Sequence, residues 1–446
     1  MYHQPEIEVG IIAHDELRIL LNSDFSAENG VRYFAGEYRA IVADNLINIF
    51  LPAGDKLEVP DLVLSPDGNN NFFELSDVTI GVGFHWEQKE IQRFGGKLKL
   101  ITEDGKVRAI NMIHLEEYLK SVISSEMSAT CSPALLKAHA VISRSWLIAQ
   151  VEKNKTLKAG EAHYQASWES EDEIIHWYDR EDHLNFDVCA DDHCQRYHGL
   201  SKIHSGEALK AVEETIGEVL VFDGKICDAR FSKCCGGVSE NFENVWEPVR
   251  HPYLTKVVDS DKGDTTCIDL RSEKEAELWI RNNPYAFCNT KDQSILKQIL
   301  PGFDQSTSDF FRWKLEYSQS ELSAIIRKRS GIDFGDIIKL EPVQRGHSGR
   351  LIRLKITGTK KTLIVGKELE IRKWLSESHL YSSAFVVDHL DINDGIPGKF
   401  LFTGAGWGHG VGLCQIGAAV MGETGYSYLE ILHHYFQRAE LKKLYV

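Results

Sequence analysis

One acid stands where a helix needs an apolar residue. In "HLEEYLKSVISSEM", Leu115, Tyr118, Leu119, Val122 and Ile123 recur at the i, i+3, i+4, i+7, i+8 spacing of a buried stripe. Glu126 extends that stripe, not the polar face assigned to Glu116, Glu117 and Lys120. Desolvation raises the pKa of an inward carboxyl, and an acid protonated at neutral pH is what glycosidic-bond cleavage asks of its proton donor. The pattern equally accommodates a glutamate capped or ion-paired near a helix end, with Arg144 of the next helix as its partner. Spacing alone fixes no second carboxylate beside it.

A second constellation is "DHLNFDVCADDHCQRYHG". His183, Cys189, His193 and Cys194 crowd one loop among Asp182, Asp187, Asp191 and Asp192. Thiolate and imidazole are the preferred donors of tetrahedral zinc. The H-x5-C-x4-C spacing is no zinc-finger signature, and free cysteines with surface histidines remain the alternative. A short loop with three or four protein ligands favours a structural ion, with an open catalytic position as the variant.

The tail carries "GWGHGVGLCQIG". It lacks the Gly-Lys-Ser/Thr of a P-loop, the G-x-G-x-x-G spacing and any basic residue, so a nucleotide site is rejected. Glycines alternating with Trp407, His409 and Gln415 suit close backbone approach to a polar ligand such as a sugar, or a turn packed on the core. H-E-x-x-H and G-x-S-x-G are absent. Cys234 and Cys235 are adjacent, so on a strand their thiols would point to opposite faces.

The elements that must position these residues read as α+β. Residues 1–95 form a β-rich region, and residues 96–446 a mixed α+β domain with a His/Cys-rich insertion over 155–200 and a mixed helical insertion over 261–330. Two "DG" pairs, at Asp104 and Asp223, lie between strand-like runs and predict hairpins. Ser132 and Pro133 open a second helix, "ALLKAHAVISRSWLIAQ", apolar nearly all round and therefore buried on most sides. A helix after 319 is expected to end at Gly331, and Ser427 with Glu430 forms a capping box for the last helix.

With 446 residues, 43% of them hydrophobic and 26% charged, the chain reads as a soluble protein of two or three domains. A net charge of −16, with "RKR" at 327–329 the longest basic run, argues against nucleic-acid binding and against a polybasic membrane anchor. No long apolar run predicts a transmembrane segment, and "MYHQPEIEVGIIAHDELRIL" reads as a first strand and not as a secretion signal. Nine cysteines is an odd number, so at least one lies outside any intrachain disulfide.

Four collinear stretches resemble stage II sporulation protein D and the LytB amidase enhancers that share its domain. They are "LEEYLKSVISSEMSATCSPALLKAHAVISRSW", "FSKCCGGVSENFENVWEPVRHPYL", "SGRLIRLKITG" and "GWGHGVGLCQIGAAVMGETGYSYLEILHHYF". The resemblance implies a peptidoglycan lytic transglycosylase acting on glycan strands stripped of stem peptides, in the cell envelope. It places the catalytic glutamate in Ser125-Glu126-Met127, and a zinc site on His183, Cys189 and Cys194, with an active-site histidine at His193. Substrate contacts are implied for Arg144, Ser232, Gly236, Gly237, His409, Gly410 and Gln415. Two departures stand out: Ser128 replaces the usual proline, and Cys234 and Cys235 replace the usual serine or threonine of the middle loop. The signal or anchor expected of the family is also absent from these residues, which leaves the cytoplasm open.

Lytic transglycosylation needs one acid. The MurNAc 6-hydroxyl displaces the GlcNAc oxygen without water, so one carboxyl can give a proton to the leaving group and take one from the nucleophile. Absence of a paired carboxylate therefore fits this reaction better than hydrolysis. Two other readings are a non-catalytic peptidoglycan-binding enhancer of a cell-wall amidase, and a zinc hydrolase with the metal as Lewis acid.

Overall fold

The computed structural model describes residues 4–68, 70–81, 88–128, 130–158, 167–177, 183–191, 194–203, 206–261, 269–299 and 308–446. The class is α+β, and the amino-terminal part is β-rich.

Both Asp-Gly hairpins form. Asp104 and Gly105 take φ of 50° and 76°, Asp223 and Gly224 take 49° and 76°, and Glu103 pairs with Lys106 as Phe222 does with Lys225. Positive φ at both turn residues gives the twist that matches the flanking strands.

The first strand, Glu6–His14, pairs antiparallel with Lys106–His114, which pairs in turn with Lys97–Glu103 and so to Leu62–Pro66. A six-stranded sheet centred on Glu16–Leu21 and Gly36–Ala43 packs against this one. Ile7, Val9, Leu17, Ile19, Leu98 and Leu100 lie in one core cluster that continues into the helices. The expected boundary at 95/96 therefore cuts through a sheet. Alternation revealed the strands, while Glu6–His14 and Leu62–Pro66 draw partners from the far side of that boundary.

Two helices carry the acid. Lys106–His114 runs directly into α1 (Leu115–Glu126), whose stripe of Leu115, Tyr118, Leu119, Val122 and Ile123 is fully buried. Helix α2 (Pro133–Lys158) is started by Ser132, whose Oγ accepts the Leu135 N–H at 3.3 Å. It buries Leu135, Leu136, Ala138, His139, Ala140, Val141 and Arg144, which point in all directions around its axis.

A second core gathers Trp313, Leu322, Ile326, Leu354, Phe385 and Phe402. Its helix Gln319–Ser330 has a Ser318–Glu321 capping box and ends at Gly331 in the left-handed conformation. The expected insertion over 261–330 thus stops short of its own core. Among the described residues the 155–200 region also yields three strands, Ser167–Glu169, Glu173–His176 and Val188–Cys189; the second pairs parallel with Thr362–Gly366 of this second body and the third with Glu6–His14.

Candidate active site

Glu126 is the last residue of α1 and is half-buried in a cleft of 220 Å³. The cleft is walled by Trp146 of α2, by Cys194–Arg196, by Arg230–Lys233, by Trp246, and by Gly408, His409 and Gln415. Glu126 is the single carboxylate among the described lining residues, and Arg196, Arg230 and Lys233 are cationic.

One oxygen of the acid is held. The Arg196 backbone N–H donates to Oε1 at 3.2 Å, and among the described residues Oε2 has no hydrogen-bond partner. The segment supplying that N–H lies along α1. Tyr118 donates to Gln195 Oε1 at 3.3 Å, the Tyr118 and Tyr197 rings stack at 4.9 Å, and Ser121 Oγ accepts the His198 N–H at 3.2 Å.

The same segment begins at the His/Cys group. His183 Nε2 and the sulfurs of Cys189 and Cys194 lie within 4.8 Å of one another, His183 Nε2 being 3.5 Å from Cys194 Sγ. A tetrahedral ion with zinc–sulfur and zinc–nitrogen bonds of about 2.3 and 2.0 Å sets its nitrogen and sulfur donors about 3.5 Å apart. The trio therefore fits a zinc-type ion. His193 lies outside the described residues.

The far wall is fastened across the chain. Phe231–Ser232 pairs parallel with Leu413–Cys414, and Ser232 Oγ is buried with no partner among the described residues. Gln415 starts the helix Gln415–Glu423 and is buried at the cleft. His409 Nδ1 accepts the Val411 N–H at 3.1 Å. Burial, with Arg230, Arg372 and Arg350 nearby, holds His409 well below the usual imidazole range, against the opposing pull of its hydrogen bond to the Phe231 backbone. Arg230 is forked onto Asp228 and stacks over Trp246 at 4.4 Å.

Several expected substrate contacts are elsewhere. Arg144 is fully buried and makes a bidentate pair with Glu116 at 2.9 and 2.7 Å, also donating to the Glu218 carbonyl at 3.0 Å. It answers Glu116 and not Glu126. Glu116 is not on a solvated face: it is 5% exposed and also accepts from Tyr445 at 2.6 Å. Gly236, Gly237 and Gly410 do not line the cleft. They are glycines because a Cβ would meet the Gly406 backbone, the Trp279 ring and the Arg350 guanidinium, respectively. Trp407 stacks on Tyr381 at 4.1 Å and faces the core.

Sequence reasoning singled out none of Arg196, Arg230, Lys233 and Trp246, although Lys233 and Trp246 lie within the family-like stretch 231–254. It also missed Arg350, buried and donating to the Gly408 and Cys235 carbonyls, which ties the two loops together. The "RGHSGR" turn before it was the available signal.

Residues 103–222 match the family model described as Stage II sporulation protein, and residues 240–412 match a domain of unknown function (DUF8618). An uncharacterized protein of Brachyspira hyodysenteriae is 27% identical over 346 residues, covering 78% of this chain and 71% of that protein. Stage II sporulation protein D of Bacillus amyloliquefaciens is 25% identical over 335 residues, 75% of this chain and 76% of its own length. The amidase enhancer of Bacillus subtilis is 25% identical over 336 residues, 71% of this chain and 39% of that protein.

Proposed function

The chain belongs to the family of stage II sporulation protein D and the amidase enhancer, and from that membership and the cleft around Glu126 we propose that it is a peptidoglycan lytic transglycosylase. The observation that carries this reading is Glu126 as the single carboxylate, among the described residues, in a cleft that Arg196, Arg230 and Lys233 also line.

Glu126 Oε2 protonates the glycosidic oxygen between MurNAc and GlcNAc as the C1–O bond breaks. The MurNAc 6-hydroxyl bonds to C1, and its proton passes to the same carboxylate. The products are a 1,6-anhydro-MurNAc end and a free GlcNAc 4-hydroxyl, with Glu126 restored. The Arg196 N–H fixes one oxygen so that the other can serve both transfers.

Removal of a stem peptide leaves a free lactyl carboxylate on MurNAc. Arg196, Arg230 and Lys233 suit that anion, and Trp246 offers an aromatic face to a sugar ring. Ser232 Oγ and Gln415 supply hydrogen bonds to hydroxyls, and His409 orders the wall through its backbone bonds to Phe231 and Val411. A zinc ion on His183, Cys189 and Cys194 has a structural role, anchoring the loop that ends in the Arg196 N–H. The setting is the cell envelope. Among the described residues no helix is long and apolar enough to cross a membrane.

The test is mass spectrometry of sugars released when pure protein meets peptide-stripped glycan. Anhydro ends, one water lighter than reducing ends, are expected, and Glu126→Gln abolishes them while glycan binding persists. Absence of product together with stimulation of an added cell-wall amidase would select the enhancer reading, which the amidase-enhancer relative motivates.

A further inference from the structure

The core behind the cleft contains a second set of metal donors. Cys235, Asp259, Cys288 and Cys414 come from four separate stretches of chain, and one ligand atom of each lies within 4.8 Å of all the others. All four are buried, at 3%, 0%, 1% and 0% exposure. We propose that they bind one structural zinc-type ion in a closed Cys3Asp site.

The geometry selects a single ion. The sulfurs of Cys235 and Cys288 are 3.6 Å apart. Thiolates on one tetrahedral ion with metal–sulfur bonds of about 2.3 Å stand about 3.8 Å apart. A cluster of several irons would spread its cysteines around a larger body, and here every donor is mutually close.

The surroundings are those of an outer shell. Cys414 Sγ accepts the Cys235 backbone N–H at 3.2 Å. Asp259 directs Oδ2 at the Cys288 N–H, at 2.9 Å, and Oδ1 at the Tyr435 hydroxyl, at 2.6 Å. Such bonds orient donors and leave their remaining lone pairs for a cation. Thiols alone can pack as small apolar groups, but a carboxylate sealed among three of them is costly without a positive charge. His434 Nε2 is 3.9 Å from Asp259 Oδ1, outside hydrogen-bond distance. The Arg312 guanidinium donates to the Asn282, Gly236, Phe311 and Trp279 carbonyls.

Adjacent Cys234 and Cys235 do not diverge as they would on a regular strand. Gly236 turns the chain with φ of 79°, and Cys234 also lies in hydrogen-bonding reach of Cys288 and Cys414. The ion would pin the middle loop to the stretch that delivers Gln415, so it braces the cleft wall from behind. The site lies in the core and stands independent of any glycan activity.

The test is metal content by elemental analysis and native mass spectrometry of the full chain. Two ions per chain are expected for the unaltered protein, one each for Cys189→Ser and Cys288→Ser, and two for Cys227→Ser, whose thiol is buried outside the set. If Cys288→Ser fails to fold, mercurial titration of the unaltered protein still decides, with release of two equivalents expected. One ion in the unaltered chain and none in Cys189→Ser would overturn the proposal. So would an intact mass lighter by two hydrogens with Cys235 and Cys288 resistant to alkylation, the mark of a disulfide.

Discussion

Arg196 donates its backbone N–H to Glu126 at 3.2 Å, and Arg196 is two residues beyond Cys194 of the His/Cys trio. Loss of the trio should therefore reach the acid through the backbone. Cys189→Ser is expected to lower kcat on peptide-stripped glycan by roughly 10–100-fold, the usual cost of losing an outer-shell support. KM should change little. Loss as complete as in Glu126→Gln, with the fold intact by circular dichroism, would instead make the metal a direct participant.

Lys233 faces the cleft next to Ser232. A charge-assisted hydrogen bond contributes about 1.5–3 kcal/mol, so Lys233→Met should raise KM about 10–100-fold for glycan with free lactyl carboxylates. The effect should shrink when those carboxylates are amidated. Equal losses on both substrates would show that Lys233 does not read the anion.

The Arg144–Glu116 pair is buried at both ends, with side-chain exposures of 0% and 6%. Arg144→Met strands a carboxylate and should cost about 3–5 kcal/mol in urea unfolding. Pairing it with Glu116→Leu should recover part of that loss. Glycan KM should stay unchanged below the unfolding transition, and a rise in KM would return Arg144 to substrate binding.

His139 is fully buried against Phe231, and burial pushes it from 6.5 down to about 4. Between those values the unfolded chain binds a proton that the folded chain refuses, so stability falls as pH drops from 6.5 toward 4. The loss from this group is about 3 kcal/mol at the lower limit. Urea unfolding across that range should show a shallower decline in His139→Asn than in the unaltered protein.

Local chemistry was legible in the residues, and long-range partnership was not. The helix stripe, the Asp-Gly turns and the Ser427–Glu430 capping box depend on neighbours within a few positions, and each formed as expected. Glu116 misled because periodicity put it on a polar face, while its partners come from α2 and from Tyr445 near the chain end. The Arg196 contribution is a backbone amide, which no side-chain pattern announces. Gly236 and Gly410 were chosen as ligand-facing residues, yet a glycine accommodates any close neighbour, and here the neighbours are the protein's own backbone and Arg350.

The leading strand has a mechanical consequence. Gly10 pairs parallel with Cys189, the Asp187 N–H donates to the Glu8 carbonyl while the Glu8 N–H donates to the Asp187 carboxylate, and the Phe186 ring packs over Gly10 and beneath His183. A pull on the amino terminus thus loads first the start of α1, where the Leu115 N–H donates to the Pro5 carbonyl at 3.0 Å and Glu6 pairs with His114, and then, in shear, the rungs beside the thiol loop. Whatever tugs or trims that strand acts as a remote lever on the amide that steadies the acid.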